Sequence, residues 1–319
     1  MSAKRVFGSW LAPYFERFIA LKRAGGACYA SQERILLAFD RHFDEEVPPQ
    51  LLSRDAVLHY LASLSCSPRA KDNVVSVVWQ ALSYSIRHGA PVEALAERPP
   101  KPPRYWRQRR PRLVSGSEVE ALMVAAREIP PVDILRPATM ATLIGLLYAT
   151  GLRIGEALAL DIGHLDRDDG LLTVVRGKFG KSRALAVRES TVEALVRYIE
   201  EPRRGVATHG SAPLFVSKQR RRLAQPTVWG ALRAVCHKAQ VSKPWPRPHD
   251  FRHTFALHRV ASWYAEGKNV DSLLPVLSTY LGHSSVENTR VYLTNNGALL
   301  EQAAARFADH TRVLDKVST

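Results

Sequence analysis

Six side chains in the second half of the sequence have the types and settings to work on a phosphate. Arg153 sits in Ala149-Thr150-Gly151-Leu152-Arg153-Ile154-Gly155-Glu156, and Lys178 sits in Arg176-Gly177-Lys178-Phe179-Gly180-Lys181. His249 and Arg252 share His249-Asp250-Phe251-Arg252-His253-Thr254. His283 closes Tyr280-Leu281-Gly282-His283, and Tyr292 follows nine residues later. Phosphoryl transfer needs a nucleophile, cations to spread the charge of a pentavalent phosphate, and an acid for the departing oxygen. A tyrosine, with a pKa of about 10, needs cations nearby before its phenolate is favoured. Paired guanidiniums hold two non-bridging oxygens in a bidentate geometry that lysine reproduces poorly. Singly, each residue has a plainer reading as a solvated cation, a core-edge histidine or a packing aromatic. Their order, contexts and the His283-to-Tyr292 interval set the group apart.

Taken together, the set resembles the tyrosine recombinase (phage integrase) family over roughly residues 114 to 310. The resemblance implies that Arg153 and Arg252 hold the phosphate. His249 matches the first His of the family's His-x-x-Arg motif and His283 that of its Leu-Gly-His. Both would donate hydrogen bonds to the phosphate, and His249 would also receive the tyrosine proton. Lys178 matches the lysine of a β-turn Gly-Lys-Gly pattern and would protonate the 5′ oxygen, with Lys181 as the alternative. Tyr292 would be the nucleophile, with Tyr280 and Tyr264 as the other tyrosines nearby. Glu156 also matches, as a structural partner of Arg153.

By the same resemblance, duplex DNA with specific recombination sites would be cut through a 3′-phosphotyrosyl bond. The freed 5′ hydroxyl would attack a partner strand, and a Holliday junction would form and resolve within a homotetramer on paired sites. Neither metal nor cofactor is implied. Integration, excision or transposition of a mobile element would be the outcome. Two other readings are a DNA-binding regulator that kept the fold without the chemistry, and a relaxing enzyme of the type IB topoisomerase kind. Gly155 stands where the family often has Ser. The interval from Arg252 to His283 is long, implying an insertion around 261–275 and a likeness to transposon-borne members. An apolar stripe of Leu299, Leu300, Ala303 and Phe307 would either dock into a neighbouring protomer or cap its own domain.

Rival chemistries fit less well. Gly180-Lys181-Ser182 imitates the end of a phosphate-binding loop, but Val175 stands where its first Gly belongs and a strand-like run follows. His249-Asp250-x-x-His253 mimics zinc protease spacing without the required Glu. Asp166-x-Asp168-Asp169-Gly170 hints at a calcium loop, yet its Gly comes one position early.

The elements that must position these residues are legible in outline. The chain has 319 residues, enough for two domains. Its formal net charge of +15 points to a polyanionic partner, nucleic acid being the usual one. Cys28, Cys66 and Cys236 are far apart and odd in number, which fits reduced thiols in a cytoplasmic, nucleoid-associated protein. The most apolar stretch, 138–152, is too short to span a bilayer and reads as a buried helix, so no membrane partner is expected.

The fold class expected is mainly α with a small β-sheet: a helical N-terminal DNA-binding domain over 1–97, then a mixed α/β catalytic domain over 114–310. A C-terminal tail covers 311–319. Between the domains, 98–113 holds five prolines and seven cations with no acid. Proline blocks helix and central strand, and a stiff basic strap suits a phosphate backbone. Its Lys101, Arg104, Arg107, Arg109, Arg110 and Arg112 are the expected DNA contacts.

Helical spacing of Val74, Val78, Leu82 and Ile86, with Gly89 behind them, predicts one N-terminal helix; Trp10, Tyr14 and Phe18 predict another. Ser53 marks a third helix start. Capping boxes at Ser115, Ser190 and Ser284 mark starts in the second domain. Further helices are expected at 119–127, 138–149, after Gly151, and over 226–240, 249–266, 270–281 and 297–308. Two strands are expected at 171–175 and 183–187, joined by a basic turn.

Overall fold

The computed structural model describes residues 6–43, 51–95, 97–100, 111–130, 135–175, 182–203, 205–283, 285–287 and 289. The chain divides into two compact units, 1–109 and 110–319, and is mainly helical with one three-stranded sheet.

The first unit holds α1 (Ala12–Ala24), α2 (Ala30–His42), α3 (Arg54–Ser63) and α4 (Pro68–Arg87). Ser53 and Ser67 cap α3 and α4 by accepting the Ala56 and Ala70 N–H groups at 3.2 and 3.3 Å, each satisfying a donor that a helix start leaves open. Gly89, at φ +83°, turns the chain out of α4. Leu11, Phe15, Leu36, Phe39, Val57, Val78 and Leu82 are fully buried and form the core of this unit.

The α1 stripe differs from expectation by one position. Leu11, Phe15, Phe18 and Ile19 face the core, whereas Trp10 and Tyr14 are half-buried at its edge. Pro13 starts the helix at Ala12, so Trp10 lies outside it. Helix α2 was not anticipated. Its N-terminal residue Tyr29 has a left-handed φ of 54° and no side-chain cap, so the start carries no local signal. Arg98 folds back onto α4 and pairs with Asp72 at 2.6 Å.

In the second unit, α5 (Gly116–Arg127) packs on α6 (Leu135–Thr150). Met140, Leu143, Ile144, Leu146 and Leu147 of α6 are each at most 2% exposed, which accounts for its apolar sequence. No helix among the described residues is long and apolar enough to cross a membrane. Ser115 accepts the Glu118 N–H at 3.1 Å, but Glu118 does not return the bond. Its carboxylate pairs with Arg112 at 2.6 Å, so the capping box is half formed.

Short α7 (Ile154–Ala159) leads into an antiparallel sheet of β1 (Leu165–Asp166), β2 (Leu171–Val174) and β3 (Arg183–Ala186). Val174 pairs with Arg183, which sets the register of β2 against β3. Between β1 and β2, Asp166 accepts the N–H groups of Asp168 and Asp169 at 3.1 Å, a turn role for the acids that resembled a calcium loop. Helix α8 (Glu189–Glu200) has Arg188, not Ser190, at its cap position, so the expected box at Ser190 is inside the helix. Helix α9 (Gln225–Lys238) follows.

Helices α10 (Pro248–Ala265) and α11 (Val270–Leu281) form a hairpin turned by Gly267 at φ +72°. Ala256, Leu257, Val260, Val270, Leu274, Leu277 and Leu281 give it a small core of its own. The long interval between Arg252 and His283 is therefore filled by helix. The boxes and helices expected from Ser284 and over 297–308 lie outside the described residues.

Candidate active site

The site is built on three backbone breaks. Helix α6 ends at Thr150, and Gly151 turns the chain at φ +63°. A Cβ there would stand 2.7 Å from the Phe255 ring, so only glycine fits. The turn places Arg153 at the cap of α7, where Glu156 accepts its backbone N–H at 3.1 Å and its Nη1 at 2.8 Å. Gly282 ends α11 at φ +66°, and its missing Cβ makes room for the Arg183 guanidinium. At the third break, Asp250 turns back to Arg247 and accepts its N–H at 2.8 Å, which starts α10.

These breaks bring both arginines to one spot. Arg252 is 1% exposed and donates Nη1 to the Gly151 carbonyl at 2.9 Å and Nη2 to the Leu281 carbonyl at 2.6 Å. Arg153 donates Nη2 to the Gly282 carbonyl at 2.8 Å and Nη1 to that of Leu281 at 3.3 Å. Two cations from distant parts of the chain thus share one acceptor, the Leu281 carbonyl, at the C-terminus of α11. That end carries partial negative charge, which offsets their mutual repulsion.

The imidazoles expected at the site join them. Nδ1 of His283 hydrogen-bonds Thr289 Oγ1 at 2.8 Å, fixing the ring. Burial, then the charges of Arg252 and Arg153, pull His283 down to about 4. His249 is lowered by burial and then by Arg252. His253, not expected at the site, stands edge-to-face with His249 at 4.6 Å, and burial takes it to about 4. Arg153, Glu156, Pro248 and His249 line a cavity of about 580 Å³, together with Ile154, Val175, Gln225 and Trp229. Gly155 opens on it, and a Cβ there would meet nothing within 4 Å, so a serine would fit.

Sequence reasoning missed Arg183. From β3 it donates Nη1 and Nη2 to the two oxygens of Glu156 at 3.1 and 2.9 Å, and Nε to the Tyr280 carbonyl at 2.8 Å. Burial opposes the Glu156 charge, but bonds and charge from Arg183 and then Arg153 outweigh it and hold the carboxyl below its usual range. Tyr280 instead stacks on Phe255 at 5.5 Å, and burial raises its phenol. Arg112 is engaged by Glu118. Lys178, Lys181, Tyr292, Lys101, Arg104, Arg107, Arg109 and Arg110 lie outside the described residues. Among the described residues no cluster of His, Cys, Asp or Glu could hold a metal ion. His249 and Asp250, from the zinc-like spacing, serve the cavity and the helix start.

Comparison with known proteins identifies the family. The Phage integrase family profile matches residues 112–298. "Putative integrase/recombinase y4rE" of Sinorhizobium fredii is 34% identical over 307 residues, covering 94% of this chain and 96% of that protein. "Tyrosine recombinase XerA" of Pyrococcus furiosus is 30% identical over 257 residues, 80% of each chain. Among solved structures, the Tn1549 transposon integrase in complex with transposon right end DNA superimposes with a TM-score of 0.63, covering 93% of this chain and 99% of that one. At 16% identity it is a likeness of fold. The paired arginines and their histidines fall within the matched span, and the chain belongs to the phage integrase family: it is a tyrosine recombinase, an enzyme that cuts and rejoins DNA at specific sites.

Proposed function

We propose that this recombinase works through a covalent 3′-phosphotyrosyl intermediate formed by Tyr292 and serves a mobile element. The observation that carries the reading is the convergence of Arg153 and Arg252 on the Leu281 and Gly282 carbonyls, beside His249 and His283. Arginines held this way meet a phosphate with little rearrangement, and preorganised charge is the largest lever on such a transition state. Neutral imidazoles can accept the tyrosine proton or donate to a phosphate oxygen. Lys178, which lies between β2 and β3 in the sequence, supplies the proton for the departing 5′ oxygen. The strand exchange then passes through a Holliday junction in a homotetramer on two duplex sites.

Lys101, Arg104, Arg107, Arg109 and Arg110 contact the DNA backbone between the two units, and Arg112 anchors the strap through Glu118. The segment with Leu299, Leu300, Ala303 and Phe307 docks into a neighbouring protomer. What supports the mobile-element role is the name integrase/recombinase carried by the Sinorhizobium fredii relative.

The test is a nicked duplex drawn from the DNA that flanks the coding sequence, chosen by searching it for inverted repeats. Wild-type protein should form an SDS-stable adduct at the 3′ side of the nick, and Tyr292→Phe should bind the duplex but form none. An adduct in Tyr292→Phe would move the nucleophile to another tyrosine. No adduct with either protein would favour a DNA-binding regulator. Relaxation of a plasmid with a single site would favour the topoisomerase reading.

A further inference from the structure

We propose that Arg183 keeps the phosphate clamp cationic by occupying the carboxylate of Glu156, and so is a positioning residue for the reaction; this rests on the phosphoryl-transfer reading of the site. Glu156 is 8% exposed and borders the same cavity as Arg153 and His249. A bare carboxylate there works against the site twice. It repels an incoming phosphate, and it closes on Arg153 as a neutralising bidentate partner.

The observed arrangement prevents both. Arg183 takes one N–H bond to each Glu156 oxygen, at 3.1 and 2.9 Å. Arg153 is left one side-chain bond to Glu156, at 2.8 Å, and its other terminal nitrogen reaches the Gly282 carbonyl. Two guanidiniums therefore share one carboxylate, and the cluster keeps one net positive charge. Side-chain exposure places the surplus. Arg153 is 24% exposed, against 13% for Arg183 and 7% for Glu156, so the unneutralised cation is the one facing the cavity. Nε of Arg183 is fixed on the Tyr280 carbonyl, two residues from Gly282, which holds its fork on Glu156 rather than on substrate.

The experiment measures adduct formation on the nicked duplex at saturating protein, with a thermal melt for each variant. Arg183→Met should slow cleavage by about 10²-fold, the size of effect expected when a clamp is misplaced by about an ångström. Glu156→Gln added to Arg183→Met should recover most of that loss, because the carboxylate that needs neutralising is gone. A brace that serves stability alone predicts the reverse, since the double variant loses more bonds. Arg183→Lys, which keeps the cation, should cleave far closer to the wild-type rate than Arg183→Met.

A double variant as slow as Arg183→Met, or Arg183→Met at the wild-type rate, overturns the proposal. If Arg183→Met does not fold, folded Arg183→Lys decides: near-wild-type cleavage supports the charge argument and loss of cleavage overturns it. Failure of the wild-type protein to form any adduct sinks the phosphoryl-transfer reading instead.

Discussion

The two units treat a buried carboxylate in opposite ways. In the first, Asp40 is 1% exposed and is answered by the N–H groups of Gly8 and Ser9 and the Ser9 hydroxyl, so it ties this part of the chain to α2. In the second, Glu156 and Asp250 are both under 9% exposed and are paired with arginines, Glu156 with Arg153 and Arg183 and Asp250 with Arg247. Burying an ion costs several kcal/mol unless partners answer it. The first unit answers one with dipoles for the sake of shape. The second answers two with arginines, and around Glu156 the cations outnumber the carboxylate.

Replacing Arg252 should break the contrast most. Arg252→Ala takes the donor from the Gly151 carbonyl, at about 1–3 kcal/mol for an unsatisfied buried group, leaves the Leu281 carbonyl to Arg153, and removes half the proposed clamp. Cleavage should be lost outright, with a lower denaturant midpoint. Asp40→Ala should lower the midpoint comparably while leaving the cleavage rate of saturated DNA unchanged. Equal loss of cleavage in both would mean that the units are not chemically separate.

A smaller effect separates two glycines of similar backbone. Gly282→Ala meets both a left-handed φ of 66° and the Arg183 guanidinium at 2.7 Å, so it should cost stability and displace the acceptor of Arg153. Gly89→Ala has φ +83° and nothing within 4 Å, so it should cost about 1–3 kcal/mol of strain and no cleavage at saturation.

Acid should act on the second unit first. His253 and His283 titrate at about 4 when folded and near 6.5 when unfolded. Between these values the unfolded chain binds more protons, so stability present above 6.5 is lost as pH falls toward 4. Glu156 and Asp250, with lowered values, add a further loss below the ordinary carboxylate range. Denaturant melts at pH 7 and pH 5 should show a drop that His253→Gln lessens. The smallest effect belongs to the helix caps: Ser53→Ala should cost about 1 kcal/mol and leave cleavage untouched.

Much of the site was legible because its members sit in short strings with mechanical meaning. The Gly before Leu152-Arg153 and the Gly before His283 mark left-handed turns, and His249 and Arg252 stand three apart on a helix. Arg183 was hidden because a strand arginine in so basic a chain looks like any solvated cation. Only the fold brings it to Glu156, 27 positions away. The α1 stripe was misread by one residue because Trp10 and Leu11 offer equally good apolar periods, and Pro13 decides where the helix begins. Serines at 115 and 190 show how far a capping pattern carries: one caps a helix whose glutamate is taken by Arg112, and the other lies inside its helix.

Leu281 faces two ways. Its side chain closes the small core of the α10–α11 hairpin, and its carbonyl receives hydrogen from both arginines. Local opening of that hairpin would release the whole clamp at once rather than loosen one ligand. Amide exchange along α11 and the reactivity of the site should therefore rise and fall together. A methyl group lost at Leu274 or Leu277, which share that core with Leu281, would be felt as a change in the timing of cleavage. If the two arginines act as proposed, the tempo of cleavage will follow how tightly two helices hold hydrocarbon.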